Sequence, residues 1–402
     1  MKILMLNHNV AWSGGTFLRA FHFSKHLVER GHAVTLMSTS PSQRWRLERE
    51  FRDGVEMVYS PDLFWGMGRS GWDPWDTLRR MGFLWSPRWD IVHAWDTRPA
   101  VILPALFARW RSRSIGCELA IDWCDWWGRG GTQTERPGGL WRHLYNPIET
   151  LFEERFRNYA DGTTVISSSL RKRAEELGVP PSMIRLLPQG CEPAREREGR
   201  FDARRKLAIE ERRSVLITIG PLNMSDAVLL FRAMHVLRKS SPNLQLFMIG
   251  NHRSKVPEDL RADGVVVETG YVPDDILRTY VSAADALVVP LADTIASRAR
   301  WPSKVSSCLA SGPVVVMTRV GDLAVLLEAE GAAIVCDNNA DALAEGVLEV
   351  MNMPPERRAQ IEQRGRTLAE RRLSWPLLTQ ELETFYQSLR DSANPAGQPN
   401  AC

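Results

Sequence analysis

Residues 2–38 read KILMLNHNVAWSGGTFLRAFHFSKHLVERGHAVTLMS, and this stretch decides the fold class. An apolar run at Ile3–Leu6 leads into the segment SGGT at 13–16 and then into a helical pattern. Gly31 ends that pattern, and a second apolar run follows at Val34–Met37. Continuous apolar runs are typical of strands buried on both faces of a parallel sheet. The stretch therefore predicts a strand–helix–strand unit with glycines at the turn into the helix.

The same alternation recurs along the whole chain, in two sets of six apolar runs separated by helical patterns. The first set is Ile3–Leu6, Val34–Met37, Val55–Tyr59, Ile91–Ala94, Leu119–Ile121 and Thr163–Ile166. The second set is Val215–Ile219, Leu244–Ile249, Val265–Val267, Ala286–Val289, Val314–Met317 and Ile334–Cys336. Two such sets predict two doubly wound α/β domains of similar architecture.

The expected domain boundary lies where the composition becomes strongly charged, in EPAREREGRFDARRKLAIEERR from residue 192. We predict a first domain over 1–190 and a second over 191–375. A last helix at 376–391 is expected to pack back on the first domain. The tail at 392–402 is expected to be disordered.

The composition excludes several classes of protein. The chain has 402 residues, of which 44% are hydrophobic and 25% charged, which is enough for at least two buried cores. A net charge of +3 is too small to indicate nucleic-acid binding. The six cysteines form no CxxC pair and no cluster with metal spacing, so we expect no disulfide framework, no structural zinc and a reducing cytoplasm.

Tryptophan is concentrated in the first domain, which holds 13 of the 15 indoles within its first 141 residues. The distribution predicts either an aromatic binding surface or a core that uses tryptophan. Trp126 and Trp127 follow a strand end in the segment DWCDWW, and one or the other is predicted to stack on an acceptor substrate. Trp95 is assigned to the same acceptor site. The alternative is that the indoles cover the edge of the sheet.

Two carboxylates and a glycine-rich segment accompany these indoles. Asp122 and Asp125 are expected on the same loop, where they would accept hydrogen bonds from hydroxyl groups. The following segment GRGGTQTERPGG, with glycines at 128, 130, 131, 138 and 139, suits a mobile lid.

Two junctions between loop and helix are candidate phosphate sites. At the first, Gly14 and Gly15 precede a helix whose N-terminus favours anions, although a glycine pair is also common in plain turns. No GxGxxG is present, which disfavours a dinucleotide fold. At the second, Pro302 is expected to open a helix with Arg300 and Lys304 at its N-terminus. The helix dipole disfavours cations there, so these two predict an anionic partner such as a diphosphate, unless they are merely solvated.

His93 lies in the apolar segment DIVHAW, expected at the carboxyl edge of its strand, where ligands bind in open α/β sheets. We expect it to act as an acid/base or hydrogen-bonding group, with a purely structural role as the alternative.

Five segments together resemble the retaining glycosyltransferases of the GT-B fold, the glycogen-synthase-like family four. They are residues 2–38, DIVHAW at 90–95, TVISSSLRKRAEELGVPPSMIRLLPQGCE at 164–192, GYVPDDILRTYVSAADALVVPL at 270–291 and WPSKVSSCLASGPVVVMTRVGDLAVLL at 301–327. The resemblance covers nearly the whole chain.

The resemblance implies two Rossmann-like domains facing across a cleft, with a nucleotide-sugar donor on the second and the acceptor on the first. It implies transfer with retention of anomeric configuration, no metal and no cofactor. The resemblance implies that Gly14 and Gly15 face the diphosphate and that His93 faces the sugar. With the charged junction before the helix at 303, we expect His93, Arg300 and Lys304 as catalytic residues. The expected donor contacts are Gly14, Gly15, Gly220, Tyr271, Arg298, Ser303 and Ser307. The acceptor would be a glycan, a lipid-linked group or an aromatic molecule.

The chain departs from the family pattern at four positions. The family's GRL…KG segment reads GPLNMSDAV here, with Pro221 and Asp226 in place of an Arg and a Lys. Two Glu of the family fall at Ala299 and Ser307. Either the donor site is rebuilt from Arg298, Arg300 and Lys304, or the chain is an inactive scaffold that binds glycans or a partner. A sugar-nucleotide epimerase is disfavoured by the tryptophan-rich first half.

A further hypothesis concerns membranes. The segment LFARWRSRS at 106–114 puts Arg109 and Arg113 near Phe107 and Trp110 on a predicted helix. Helices that combine basic and aromatic residues dock on anionic lipid, whereas the alternative is an ordinary solvated helix. We therefore expect a cytoplasmic protein with peripheral contact to an anionic membrane.

Overall fold

The computed structural model of the chain describes residues 1–63, 70–135, 140–193, 197–252 and 254–393. These residues form two compact units. The first unit contains Met1–Pro188 and the segment that begins at Trp375, and the second contains Gln189–Ser374. The first unit thus ends two residues before the predicted boundary at 190, and the chain returns to it one residue before the predicted start of the last helix.

The first unit is an eight-stranded sheet with helices on both faces. Its strands are β1 (Lys2–Val10), β2 (Ala33–Thr39), β3 (Glu48–Arg52), β4 (Val55–Ser60), β5 (Ile91–Trp95), β6 (Glu118–Trp123), β7 (Gly162–Val165) and β8 (Ile184–Leu186). Its helices within Met1–Pro188 are α1 (Gly15–Glu29), α2 (Pro74–Phe83), α3 (Pro99–Arg111), α4 (Leu140–Arg155) and α5 (Ser168–Glu176). The strand order is β3-β4-β2-β1-β5-β6-β7-β8, and every neighbouring pair is parallel except β3 with β4.

The second unit is a fully parallel six-stranded sheet of order β11-β10-β9-β12-β13-β14. Its strands are β9 (Ser214–Ile219), β10 (Leu244–Ile249), β11 (Val266–Gly270), β12 (Ala286–Val289), β13 (Val314–Thr318) and β14 (Ile334–Cys336). Its helices are α6 (Arg200–Lys206), α7 (Met224–Ser240), α8 (Glu258–Ala262), α9 (Asp274–Ala283), α10 (Ile295–Ala299), α11 (Ser303–Ser311), α12 (Gly321–Ala329), α13 (Ala340–Met351) and α14 (Pro355–Arg372). The predicted doubly wound α/β class is confirmed.

All twelve apolar runs form strands, and two further strands escaped the sequence pattern. β3 has the sequence EREFR, and all five of its residues are exposed. Because β3 pairs only at the edge of the sheet, it buries no apolar side chain and shows no hydrophobic pattern. β8 has three residues, too few for a periodicity to be recognised.

The last helix, α15 (Trp375–Ala393), belongs to the first unit and packs on α1. The Trp375 ring stacks on His22 of α1 at a centroid distance of 4.9 Å, and Phe385 and Leu389 join the core beneath the sheet. The helix extends through Ala393, two residues into the predicted tail, and the rest of that tail lies outside the described residues.

Tyr386 of α15 contacts His93, whose predicted position at a strand end is wrong. His93 is the third of the five residues of β5 and is fully buried. Its Nδ1 lies 2.6 Å from the Tyr386 hydroxyl, its Nε2 lies 3.3 Å from Thr164 Oγ1, and its ring stacks on Trp95. The strand continues for two residues beyond His93, so the ring is enclosed by the core rather than presented at the sheet edge.

Burial lowers the pKa of His93 to about 4, against a pull upward from Asp122. The imidazole is therefore neutral at physiological pH. A neutral, enclosed ring that is hydrogen-bonded at both nitrogens fits a structural role better than proton transfer to a substrate.

We predict that protonation of His93 contributes to acid unfolding. The pKa of this histidine is about 4 in the folded chain and 6.5 as an ordinary value, so the unfolded chain binds the proton first as the pH falls. The stability linked to this group is complete above pH 6.5 and is lost towards pH 4, by about 3 kcal/mol. His93→Gln should flatten the pH dependence of the free energy of unfolding over this window, measured by urea titration at several pH values.

His143→Gln is the matched control, because His143 is exposed and its replacement should leave the pH dependence unchanged. If the free energy of unfolding of His93→Gln depended on pH as that of the wild type does, the prediction would be wrong. His93 would then have the same pKa in the folded and the unfolded chain.

Candidate active site

The turn before α1 holds the first predicted phosphate site. Gly14 has a φ of 86°, a conformation that favours glycine, and α1 starts at Gly15 without a side-chain cap and without an acidic residue in its first turn. The first backbone N–H groups of a 15-residue helix therefore point out of its N-terminus with a favourable dipole for an anion. The geometry suits the anion-binding function that the sequence predicted for Gly14 and Gly15.

One helical turn further, Arg19 connects α1 to the strand edge. Its side chain is fully buried and donates to the carbonyls of Leu187 at 2.8 Å and Pro188 at 2.7 Å. It also lies 3.3 Å from Asp122 Oδ1. The sequence pattern gave no signal for Arg19, because an arginine on a predicted helix is most often solvated.

Asp122 was expected on a loop with its carboxylate available to a ligand, and that expectation is wrong in part. The residue lies within β6 and is buried, and Thr164 and Cys124 also donate to its carboxylate, both at 2.5 Å. Burial alone would raise the pKa of Asp122, but the Arg19 guanidinium holds it below its ordinary value. The carboxylate is therefore charged and is fixed in position by its own neighbours.

A small cavity of about 10 Å³ brings together most of the predicted acceptor residues. Trp95, Asp122, Asp125 and Trp127 line it, together with Thr16 from the first turn of α1. These residues come from the ends of β5 and β6 and from the glycine turn. The cavity thus lies at the carboxyl ends of parallel strands, where ligands bind in open α/β sheets.

Trp126 is the exception among the predicted acceptor residues, because it does not line this cavity. Its Nε1 donates to the carbonyl of Arg129 at 2.9 Å, and the Arg173 guanidinium lies 5.5 Å from its ring centre. The indole of Trp126 therefore stabilises its own loop.

Glu153 of α4, for which the sequence pattern gave no signal, holds the loop that follows β6. Its carboxylate accepts from Trp123 Nε1 at 3.1 Å and from the backbone N–H groups of Trp127 at 2.8 Å and Gly128 at 2.6 Å. An added Cβ at Gly128 would approach Glu153 to 2.3 Å, so the chain needs glycine there. Burial raises the pKa of Glu153 to about 7.

The glycine-rich segment is therefore bonded to α4 where the structure describes it, which argues against a mobile lid at residues 128–131. The remaining glycines of the proposed lid, 138 and 139, lie outside the described residues.

In the second unit, the two arginines of the predicted diphosphate site have internal partners. Arg300 forms an ion pair with Asp226, which is fully buried in the first turn of α7. Arg298 forms a two-point ion pair with Asp293, at 2.5 and 2.7 Å. The expectation that Arg300 and Lys304 both need a bound anion is therefore wrong for Arg300, because Asp226, 74 residues away in the chain, already neutralises it. Asp293 on the preceding loop neutralises Arg298 in the same way.

Lys304 and Ser307 lie one turn apart on α11 and line a cavity of about 470 Å³. Within the described part of the chain Lys304 forms no ion pair of its own. Ile219, at the end of β9, and Leu277 of α9 supply apolar walls. The charged residues of the lining, besides Lys304, are Arg197, Lys206, Arg278, Glu198 and Asp275. This volume falls in the range of small-ligand sites. Pro302 precedes α11 by one residue rather than opening it.

The other predicted donor residues lie around the carboxyl ends of this sheet. Gly220 follows β9 with a φ of 91°, Tyr271 follows β11 and is largely exposed, and Ser303 is the first residue of α11. None of the three lines the cavity that contains Lys304.

The described residues contain no group of three His, Cys, Asp or Glu side chains arranged to hold a metal ion. Over the same residues, no helix is long and apolar enough to cross a membrane. The five cysteines in the described part are all free thiols.

Two family sequence models match the chain. "Glycosyl transferase 4-like domain" matches residues 14–190, and "Glycosyl transferases group 1" matches residues 213–353. Together the two matches cover well over half of the chain. No curated protein sequence matches significantly.

Solved structures of similar fold cover almost the entire chain at low identity. Sucrose-phosphate synthase from Thermosynechococcus elongatus has a TM-score of 0.71 at 14% identity, with 97% of this chain and 99% of that chain covered. Anabaena Alr3699/HepE, in complex with UDP and glucose, gives 0.68 at 14%, with 96% and 100% covered. An α,α-trehalose-phosphate synthase (UDP-forming) from Burkholderia xenovorans, in complex with glucose-6-phosphate, gives 0.67 at 14%, with 96% and 99% covered.

The two family matches fall one on each of the two parallel-sheet units, and the structural matches extend over both. The resemblance inferred from the sequence is thereby confirmed, and the chain belongs to the glycosyltransferases of the GT-B fold, with a family-four-like first domain and a group 1 second domain.

Proposed function

We propose that this glycosyltransferase takes a UDP-sugar as donor and transfers the sugar to an acceptor with retention of anomeric configuration, without a metal ion. The observation that carries the donor assignment is the cavity beside α11, which combines a volume of about 470 Å³ with Lys304, a lysine that forms no ion pair within the described residues. Structures of similar fold in complex with UDP or UDP-glucose support uracil as the base of the donor.

In this mechanism the bond between the anomeric carbon and the diphosphate oxygen breaks as the bond to the acceptor oxygen forms. Negative charge grows on the leaving diphosphate, and preorganised positive groups stabilise that charge. Lys304 supplies positive charge for the diphosphate on the second unit. On the first unit, the turn at Gly14 and Gly15 offers a separate helix N-terminus that favours anions. The acceptor proton leaves with the departing diphosphate, so no metal-bound base is needed.

Arg300 was expected to contact the diphosphate, but its guanidinium is paired with Asp226 instead. Its ion pair with Asp226 is neutral as a whole, and Asp226 Oδ1 also accepts from the backbone N–H of Ala292 at 2.8 Å. The pair therefore fixes the loops after β9 and β12 and leaves most of the charge matching to Lys304.

We predict that Lys304→Ala weakens UDP binding by about tenfold or more, because a charge-assisted hydrogen bond contributes roughly 1.5–3 kcal/mol. Isothermal titration with UDP, GDP and ADP measures the dissociation constants. Lys239→Ala removes an exposed charge from the end of α7 and serves as the matched control.

An unchanged dissociation constant in Lys304→Ala would remove Lys304 from the donor site. A product of inverted configuration, identified by NMR of the anomeric proton, would contradict retention.

The acceptor is proposed to bind on the first unit, where Trp95, Asp122, Asp125 and Trp127 share one cavity. A ring or sugar face that stacks on an indole gains about 0.5–1.5 kcal/mol beyond its buried area. Of the two adjacent indoles, Trp127 lines the cavity and Trp126 does not. The stacking role is therefore assigned to Trp127.

We predict that Trp127→Ala raises the Michaelis constant for the acceptor several-fold, up to about tenfold, while donor hydrolysis persists. Trp126→Ala is the matched control and should change the acceptor constant by less than twofold at equal melting temperature. Equal effects of the two substitutions, or a parallel loss of donor hydrolysis, would assign both indoles to the stability of the loop.

The alternative function is a scaffold that does not catalyse transfer. It is favoured by the four departures from the family pattern and by the internal neutralisation of Arg298 and Arg300. Failure of all nucleoside diphosphates to bind below millimolar concentration would favour this alternative.

We further propose a cytoplasmic location with peripheral contact to an anionic membrane. Trp85 and Trp110 are exposed, Phe107 lies 5.9 Å from each ring centre, and the Arg111 guanidinium lies over both indoles. Arg109, which was expected to face the membrane, is instead bonded to Asp161. Amphipathic indoles beside arginines are typical of surfaces that bind anionic lipid.

This proposal predicts that the protein co-sediments with phosphatidylserine vesicles at low salt and that Trp110→Glu abolishes the binding. Phe51→Glu, at an exposed position on β3, is the matched control and should bind like the wild type. Wild-type protein that stays wholly in the supernatant would rule the contact out.

A further inference from the structure

Two buried hydrogen-bond donors in the small cavity of the first unit have no acceptor. Trp95 is 1% exposed and Arg157 is 2% exposed, and both line the cavity. Trp95 Nε1 and the Nε and Nη1 atoms of Arg157 have no hydrogen-bond partner among the described residues. More than nine tenths of such buried groups in proteins are satisfied, so donors from two separate elements that meet in one cavity indicate a ligand oxygen there.

The remaining polar wall of the cavity consists of acceptors. Asp96, Asp122 and Asp125 line it beside the single cation Arg157. Burial alone would raise the pKa of Asp96, but the charges of Arg98 and His8 hold it below its ordinary value. Asp122 is charged for the corresponding reason, its pairing with Arg19. Arg98, Arg19 and Arg157 together match these three carboxylates in number, so the wall offers no surplus of positive charge to a phosphate or carboxylate.

The size of the cavity limits what enters it. About 10 Å³ is close to the space that one water-sized group requires. A hydroxyl group fits both the volume and the polarity, since its oxygen accepts from Trp95 and Arg157 while its proton is donated to a carboxylate of the wall. The Trp127 indole, which also lines the cavity, offers an apolar face to the carbon skeleton that carries the hydroxyl.

We propose that this cavity recognises one hydroxyl group of an uncharged sugar, so that the acceptor of this enzyme is a neutral glycoside and not a sugar phosphate or a sugar acid. The proposal deepens the proposed function, on which it rests for the assignment of the first unit to the acceptor. It adds Asp96 and Arg157, which sequence analysis did not single out, to the specificity-determining residues.

The experiment compares matched neutral and charged ligands on the full chain. Saturation-transfer difference NMR is recorded with methyl α-glucoside, methyl α-galactoside and methyl α-mannoside, and with glucose, galactose and mannose 6-phosphates. We expect at least one neutral glycoside to bind and its 6-phosphate counterpart to bind at least tenfold more weakly. Trp95→Phe, which removes the N–H donor and keeps an aromatic ring, should weaken that binding about tenfold.

Trp89→Phe is the matched control. Trp89 is also 1% exposed, and its Nε1 also has no partner among the described residues, but it does not line the cavity. Both substitutions should lower the melting temperature to a similar extent, and only Trp95→Phe should reduce sugar binding. Equal sugar binding in the two variants would overturn the proposal, as would a 6-phosphate that binds as tightly as its neutral counterpart, or no glycoside binding at all.

Titration of Lys304→Ala, Trp95→Phe and Trp89→Phe with UDP separates this inference from the proposed function. UDP binding that depends on Lys304, together with glycoside binding that is insensitive to Trp95→Phe, would leave the transferase function standing and remove only the hydroxyl site. Glycoside binding that depends on Trp95 without any nucleotide binding would retain the hydroxyl site and favour the scaffold.

Discussion

The buried ion pair between Arg19 and Asp122 is the interaction on which the first unit depends. Both side chains are removed from water, and unpaired charges at such positions cost several kcal/mol each. Arg19 offsets this cost by bonding to Asp122 and to the carbonyls of Leu187 and Pro188. The Arg19 guanidinium thereby fixes α1, the end of β6 and the residues at 187–188, after which the chain enters the second unit. These contacts also set the position of the small cavity that Trp95, Asp122 and Trp127 line.

The second unit also contains a buried carboxylate that an arginine neutralises. Asp226, after β9, and Arg300, after β12, form an ion pair. The backbone N–H of Ala292 also donates a hydrogen bond to the Asp226 carboxylate. A family pattern with a basic residue at position 226 would place a cation there, and this chain places a carboxylate and an arginine that cancel. The lysine without an ion pair among the described residues lies instead on α11, where Lys304 lines the larger cavity.

Tryptophan illustrates how one residue type serves two functions that sequence cannot distinguish. Trp89, Trp95, Trp123 and Trp375 are fully buried, whereas Trp45, Trp85 and Trp110 are more than half exposed. The core interpretation of the skewed composition therefore holds for some of the indoles, and others remain available to a surface role. An indole is apolar enough for a core and amphipathic enough for a surface, and only the surrounding elements decide which role it takes.

The sequence by itself determined every strand except β3 and β8, the fold class, the glycine turn at Gly14 and the family. These features depend on local patterns, such as continuous apolar runs and a helix start after glycine, which the chain carries in neighbouring residues. Only the tertiary structure decided which polar groups are available to a ligand. His93, Asp122 and Arg300 looked available because their partners Tyr386, Arg19 and Asp226 lie 74 to 293 residues away in the chain. Ion pairs and hydrogen bonds between distant segments leave no periodic trace in a sequence, because they depend on where folding brings two side chains together.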